Sequence, residues 1–369
     1  MNEDRAARYH RLRRRAALAS TIAGVAWLVA LGAGGWSRAL AAWTMGAGRM
    51  LPWPLGRALA AIVFAIVVAA GWELVSLPFV FYKTFLLDRK YALSSEPLVT
   101  WLGDHLKAFG LGLALTSVSA AALSAAIRIA PALWWAIGTG LFATAAILIS
   151  RVAPVALLPL FYRFRPLDRD ALRERLLTLS DRARVPVLGV FEWGLGEKTT
   201  RANAALVGAG RTRRILVSDT LLKDYSDDEI EVILAHELAH HVHHDLWTGL
   251  ILETLTMALA LYAAHAVVVN VRGATASDLA EWPLMILAGG AVSFLLRPLA
   301  NAWSRHNERR ADRFALKLTG REAAFVSAMR RLGAQNLAEA RPSPPVFWFF
   351  HTHPTIEQRI AAAKTFEAA

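Results

Sequence analysis

Six stretches of the chain, at residues 16–35, 58–81, 106–127, 132–160, 246–270 and 282–300, are almost free of charge. Each comes close to or exceeds the roughly 20 apolar residues that a helix needs to cross a bilayer core of about 30 Å. Six of them in 369 residues leave little for a soluble globular fold, and the hydrophobic fraction of 55% agrees. The chain therefore reads as mainly α and polytopic. The first stretch, behind Arg13, Arg14 and Arg15, also has the outline of a signal peptide. No small-residue cleavage site follows it directly, and Trp27 and Trp36 suit a retained helix with its ends at the membrane interface.

Lys and Arg in the short flanks set the orientation, and "RYHRLRRR" ahead of the first span argues for a cytoplasmic N-terminus. Six crossings then place residues 82–105, 162–245 and 301–369 in the cytoplasm, all rich in basic side chains. The outer connections, at 36–57, near Arg128 and at 271–281, carry few positive charges. The net charge of +12 follows from that topology. Membrane lipid is the partner it implies, and no alternation of basic with aromatic residues points to nucleic acid. Glu73, Glu253, His265 and Arg297 lie inside spans, where an ionisable group is expensive unless it meets protein or water. They either pair between helices or line a polar chamber.

The spans divide the chain into a membrane region at 1–160, a soluble-looking part at 161–245, two further spans at 246–300 and a second soluble-looking part at 301–369. In the first soluble part, "PLDRDALRERLLTLSDRARVPV" has helical periodicity, and "VLGVFEWG" and "NAALVGAGRTRRILVSDTLL" read as short strands joined by a Gly-Arg turn. A small α+β unit is implied. In the second, 304–319 and 322–338 read as helices, "ARPSPPV" as a loop and "THPTIEQRIAAAKTFEA" as a terminal helix.

With no cysteine, any metal must be held by His, Asp or Glu. The stretch "EVILAHELAHHVHHD" at 231–245 offers the candidates. Ser226 with Glu229 fits a reciprocal capping box and Tyr225 with Ile230 its hydrophobic staple, so a helix starts near Asp227. On it His236 and His240 are four residues apart and share a face, the spacing that brings two imidazoles to one metal. Glu237 follows the first His, so its carboxylate can reach a water on that metal without being a ligand. The motif is short, and context strengthens it: the helix is otherwise apolar, and buried imidazoles are costly there without a metal or hydrogen-bond partners. For a third ligand the best candidate is Glu308 in "SRHNERRAD", because Asp312 shares its face at i+4 and can accept the second ring N–H of a ligating His. Two His and one Glu leave a fourth position for water, the pattern of a catalytic zinc site with one Zn2+ per chain. His241, His243 and His244 point to other faces near the helix exit, beside Asp245, and read as border residues.

These motifs together resemble the Ste24-type membrane zinc metalloproteases of family M48, the CAAX prenyl endopeptidases. "FYKTFLLDRKYALS" after the second span is similar to that family's cytoplasmic loop and "PLFYRFRPLD" to the start of its catalytic domain. "RANAALVG" and "RRILVSDTLL" resemble its substrate-side strands, "HELAH" its zinc helix, "SRHNERRAD" its third-ligand helix and "THPTIEQRI" its C-terminal motif, over residues 75–365 in all. The resemblance implies that His236, His240 and Glu308 bind zinc, that Glu237 is the general base, that Asp312 supports a ligand, that Asn203 holds substrate backbone and that His353 steadies an oxyanion. Taken alone, Asn203 also reads as a turn residue between strands and His353 as the residue leading into a helix before Pro354. Arg305 and Arg359 read as ion-pair partners, Arg359 alternatively as a group facing a substrate carboxylate. The implied fold is a polytopic transmembrane helix barrel enclosing a water-filled chamber, with a small cytoplasmic α+β catalytic domain of zincin type. The eukaryotic pattern has seven spans, and six are found here. The implied activity is zinc-dependent hydrolysis of peptide bonds near the C-terminus of prenylated CAAX-type or other membrane-associated proteins. A non-catalytic chamber protein that holds or passes hydrophobic polypeptides around a structural zinc is the alternative. Such a zinc needs no Glu237 and usually has its fourth position filled by protein. A transporter is disfavoured by the absence of paired broken helices or inverted halves.

Overall fold

The structure, a computed structural model, describes residues 2–53, 55–208 and 210–366. Its first part is helical: α1 (Asn2–Ala33), α2 (Trp36–Gly48), α3 (Leu55–Phe81), the short α4 (Leu87–Lys90), α5 (Leu98–Ile129) and α6 (Trp134–Val152). A mixed unit follows, with β1 (Phe164–Pro166), α7 (Asp170–Arg182), β2 (Gly189–Trp193), β3 (Ala204–Val207), β4 (Arg214–Ser218), α8 (Asp219–Asp224) and α9 (Asp227–Val242). Then come α10 (Asp245–Ala266), α11 (Trp282–Thr319), α12 (Glu322–Gln335), α13 (Pro344–Phe350) and α14 (Ile356–Lys364).

Six helical segments are long and apolar enough to cross a membrane: Arg5–Ala33, Leu55–Lys90, Leu98–Ile129, Trp134–Leu160, Asp245–Val271 and Leu279–Thr319. They contain four of the six apolar stretches of the sequence whole and the other two, 16–35 and 132–160, to within two residues. Each packs on the next around a ring, α1 on α3, α3 on α5, α5 on α6, α6 on α10 and α10 on α11, and α11 returns to α1. Six helices thus close the barrel. The α1–α3 seam is built from two reciprocal fits, in which a Cβ at Gly24 would come within 2.5 Å of the Trp72 ring and one at Gly71 within 2.2 Å of the Trp27 ring. Trp27 also donates Nε1–H to the Val68 carbonyl at 3.1 Å. Two of the ionisable residues in the spans pair between helices: Glu73 with His105 at 2.8 Å, and His265, which accepts from Trp134 Nε1 at 3.0 Å. Glu253 is exposed, and Arg297 opens onto the cavity described below.

The sheet has the order β1-β2-β4-β3, with β1 antiparallel to β2, β2 parallel to β4 and β3 antiparallel to β4. β3 is therefore an edge strand. Against this sheet and against α7, α11 and α12 packs α9, in which residues 229–239 are all buried except Glu237. Leu176, Ile215, Leu234 and Phe325 are among the fully buried side chains of that core.

Three elements differ from the sequence reading. The sixth span and the helix carrying Glu308 are one continuous helix of 38 residues, with Pro298 inside it. A proline removes one backbone bond and crowds one carbonyl, and here the helix runs on through it, anchored by its buried residues Trp282, Pro283 and Met285 at one end and those from Asn301 onward at the other. Within "ARPSPPV" the prolines start α13 rather than a plain loop, since Pro344 occupies the first turn, where its missing N–H has no intrahelical acceptor to lose. The connection after α1 contains α2, whose Ser37, Ala41, Thr44 and Gly48 form the buried face.

The polar end of α1 is fastened to the soluble part. Tyr9 donates its hydroxyl to Asp88 at 2.6 Å and accepts from Arg201 at 2.7 Å. Arg14 holds Glu339, with Nη2–Oε1 at 3.0 Å, and His10 Nε2 contacts the Leu337 carbonyl at 2.8 Å.

Candidate metal centre

The helix that carries the histidines starts as its sequence requires. Ser226 N–H donates to Glu229 Oε2 at 2.8 Å while Ser226 Oγ accepts from Glu229 N–H at 3.3 Å, and Tyr225 and Ile230 are both buried in the same core. Burial would raise the Glu229 carboxyl, yet hydrogen bonds from Ser327 and Ser226 and the charge of Arg331 hold it below the usual carboxylate range. From that start, His236 and His240 emerge on one face with their rings edge to face, 5.0 Å between centroids.

Opposite them stands Glu308 on α11. His236 Nε2 lies 3.2 Å from Glu308 Oε2, and His240 Nε2 lies 3.6 Å from Oε1. One ligand atom from each of the three residues falls within 4.8 Å of the others. Glu308 Oε2 is buried and accepts no hydrogen bond among the described residues. A buried carboxylate oxygen left bare is costly, and two imidazole nitrogens and a carboxylate converging on one point are a donor set that a divalent cation satisfies.

Each imidazole is steered by its other nitrogen. His236 Nδ1 is 2.9 Å from Asp312 Oδ1, and His240 Nδ1 is 2.8 Å from Asp245 Oδ2, which leaves both Nε2 atoms directed at Glu308. The two aspartates are fixed in turn by arginines. Arg359 forms a fork on Asp312, with Nε–Oδ2 at 2.9 Å and Nη2–Oδ1 at 2.5 Å, and Arg310 pairs with Asp245. Burial works against a charged His236, but the carboxylates of Asp312 and Glu308 outweigh it and push the ring up to about 9. The two carboxylates thus favour positive charge on this ring. Glu237, the one half-buried residue in the middle of α9, is raised by burial and faces the cavity.

That cavity, of about 680 Å³, runs from His236 and Glu237 past the head of β3 to α1 and α11. Asn203 lies on its wall, exposed, just before β3. Ser218 N–H donates to the Asn203 carbonyl at 3.0 Å, so Asn203 turns its backbone toward β4. Backbone direction alternates along a strand, and Ala204 and Leu206 accordingly turn outward. The Leu206 carbonyl is taken by His241 Nε2 at 3.1 Å, whereas Ala204 borders the cavity. His353 is also on the wall, 58% exposed, with Nε2 3.2 Å from Glu308 Oε1.

The structure therefore brings together all seven residues singled out in the sequence. His243 instead meets the edge of Phe314, and His244 adopts a left-handed φ of 58° between α9 and α10. Arg359 is an ion-pair partner, as read. Arg305 has no carboxylate partner among the described residues. It donates to the Phe347 and His351 carbonyls at 3.3 and 2.6 Å and lies over Phe347, because the end of α13 has carbonyls that need a donor. Asp245 and Arg310 are functional neighbours that helical spacing does not flag. Asp245 is five residues from His240 and comes beside it only because the turn at His244 folds the chain back.

Known proteins share this architecture. The sequence profile of Peptidase family M48 matches residues 166–367, and the profile described as CAAX prenyl protease N-terminal, five membrane helices, matches residues 2–163. The uncharacterized metalloprotease YhfN of Bacillus subtilis is 28% identical over 85% of this chain and 75% of its own. CAAX prenyl protease 1 of Saccharomyces cerevisiae is 27% identical over 78% of this chain and 68% of its own. The crystal structure of S. mikatae Ste24p has the same fold, with a TM-score of 0.84 at 20% identity over 98% of this chain and 88% of that one.

Proposed function

Because the chain belongs to peptidase family M48 and is an integral membrane metalloprotease, we propose that its metal is zinc, one ion per chain, held by His236, His240 and Glu308. We further propose that its substrates are membrane-associated proteins cut near their C-termini, prenylated CAAX-type proteins among them. The observation that carries the metal assignment is the bare, buried Oε2 of Glu308 facing two imidazoles whose other nitrogens are tied to carboxylates.

When bound, the ion supplies Lewis-acid activation of water and of the peptide carbonyl. Glu237 accepts on its carboxylate the proton released as water attacks that carbonyl, and returns it to the nitrogen of the departing amine. Its partial burial raises its pKa, the direction that suits a group which both takes and gives a proton. His353 donates to the oxygen of the attacked carbonyl as negative charge develops there. The outward edge of β3 at Ala204 aligns an extended substrate through main-chain hydrogen bonds, with the Asn203 amide beside it. Both termini and this site lie on the cytoplasmic side, as the distribution of Lys and Arg supports.

The test uses detergent-purified protein, its Glu237→Gln variant and two peptides, one farnesylated at a CAAX cysteine and one unmodified, with cleavage read by mass spectrometry. Cleavage after the modified cysteine, lost in a variant that keeps stoichiometric zinc, is the expected result. Equal cleavage by both proteins removes Glu237 from the mechanism, and no cleavage by zinc-loaded protein removes this substrate class.

A further inference from the structure

The end of the cavity away from the metal is positively charged beyond what its own carboxylates neutralise. Arg14 is paired with Glu339, and Arg359 with Asp312. Two arginines on the cavity wall remain. Arg13 donates to the Tyr9 hydroxyl at 2.9 Å and meets no carboxylate, and Arg297 has neither an ion pair nor a hydrogen bond among the described residues. Arg297 lies within a membrane-spanning helix, where a charge is placed toward protein or water, and it is exposed on the cavity side. An anion that enters the cavity meets an unpaired guanidinium there.

The position of Arg297 says which anion. It precedes Glu308 by eleven residues on α11, about three turns, so both project from nearly the same face about 16 Å apart along the axis. An extended peptide advances about 3.4 Å per residue. With its cut bond at Glu308, a substrate reaches Arg297 about three to five residues later. We propose that Arg297, backed by Arg13, binds the free α-carboxylate at the substrate's C-terminus and thereby fixes the cut a few residues from that end. This rests on the peptidase reading above and adds a specificity determinant to it.

The test measures binding to full-length, zinc-loaded Glu237→Gln protein in nanodiscs by fluorescence anisotropy. The probe is a labelled ten-residue peptide with farnesyl-cysteine three residues before its last residue, made as the free acid, as the amide, and as an amide ending in Glu. The free acid is expected to bind about tenfold more tightly than the amide. Adding Arg297→Gln brings that ratio close to one, and Arg297→Lys keeps most of it. Because the ratio is measured within each variant, a loss of folded protein does not imitate the effect. Equal binding of acid and amide, binding of neither, a ratio untouched by Arg297→Gln, or tight binding of the Glu-ended amide overturns the proposal. Cleavage by the unmutated protein separates the two readings. An acid preference in binding without hydrolysis defeats the peptidase reading alone, whereas hydrolysis of acid and amide at equal kcat/KM defeats this inference alone.

Discussion

At the scale of single residues, His236 and His240 are held by parallel chains, one running through Asp312 to Arg359 and the other through Asp245 to Arg310. Loss of such a support typically lowers metal affinity about 10- to 100-fold. Asp245→Asn is expected to do so as strongly as Asp312→Asn, and competition with a chromogenic chelator measures it. Glu229 sets a pH limit. Its carboxyl lies below the usual range in the folded chain, so its contribution is complete above the unfolded value of about 4.3 and is lost as pH falls through the folded value. Glu229→Gln should therefore lower the unfolding temperature at neutral pH and flatten its decline in acid, as thermal melts at several pH values would reveal. The residues legible in the sequence were those linked by helical spacing, His236 to His240 and Glu308 to Asp312. Asp245, Arg310 and the true acceptors of Arg305 were not, because their contacts cross from one helix to another or around a left-handed turn.

Among the elements, the spans were legible by length and apolarity, and α9 by the chemistry of its first turn. The sheet order was not, since short strands carry no mark of their neighbours, and α2 and α13 were hidden in segments that composition marks as connections. The continuity of α11 was also hidden, because a proline and a change from apolar to charged residues both look like an end. The α1–α3 seam gives an element-scale prediction. Gly71→Val has no room beside the Trp27 ring, and moving the ring also strains its hydrogen bond to Val68. Overpacking of this kind costs about 1–3 kcal/mol, so a lower unfolding temperature is expected. If the pair Gly71→Val, Trp27→Ala fails to recover part of the loss, the seam is not the cause.

For the whole molecule, closure of the ring by six helices means that a seventh span is not needed to enclose the chamber. The absence of native cysteine makes sidedness directly measurable. Single cysteines at Met50 and Val271, 88% and 77% exposed, should react with an impermeant maleimide from outside, and one at Leu188, 60% exposed, only after the membrane is opened. The reverse pattern would invert the topology. There remains α11, a rod of about 57 Å at 1.5 Å per residue, with one end in the bilayer and Glu308 about 16 Å short of the other. The opposing histidines sit on α9, which runs almost directly into the membrane helix α10. The two jaws of the metal site are thus handles of a membrane hairpin, and helices adjust to bilayer thickness by tilting. Bilayer thickness is therefore expected to open or tighten the jaws, and turnover in bilayers of graded acyl length should pass through an optimum.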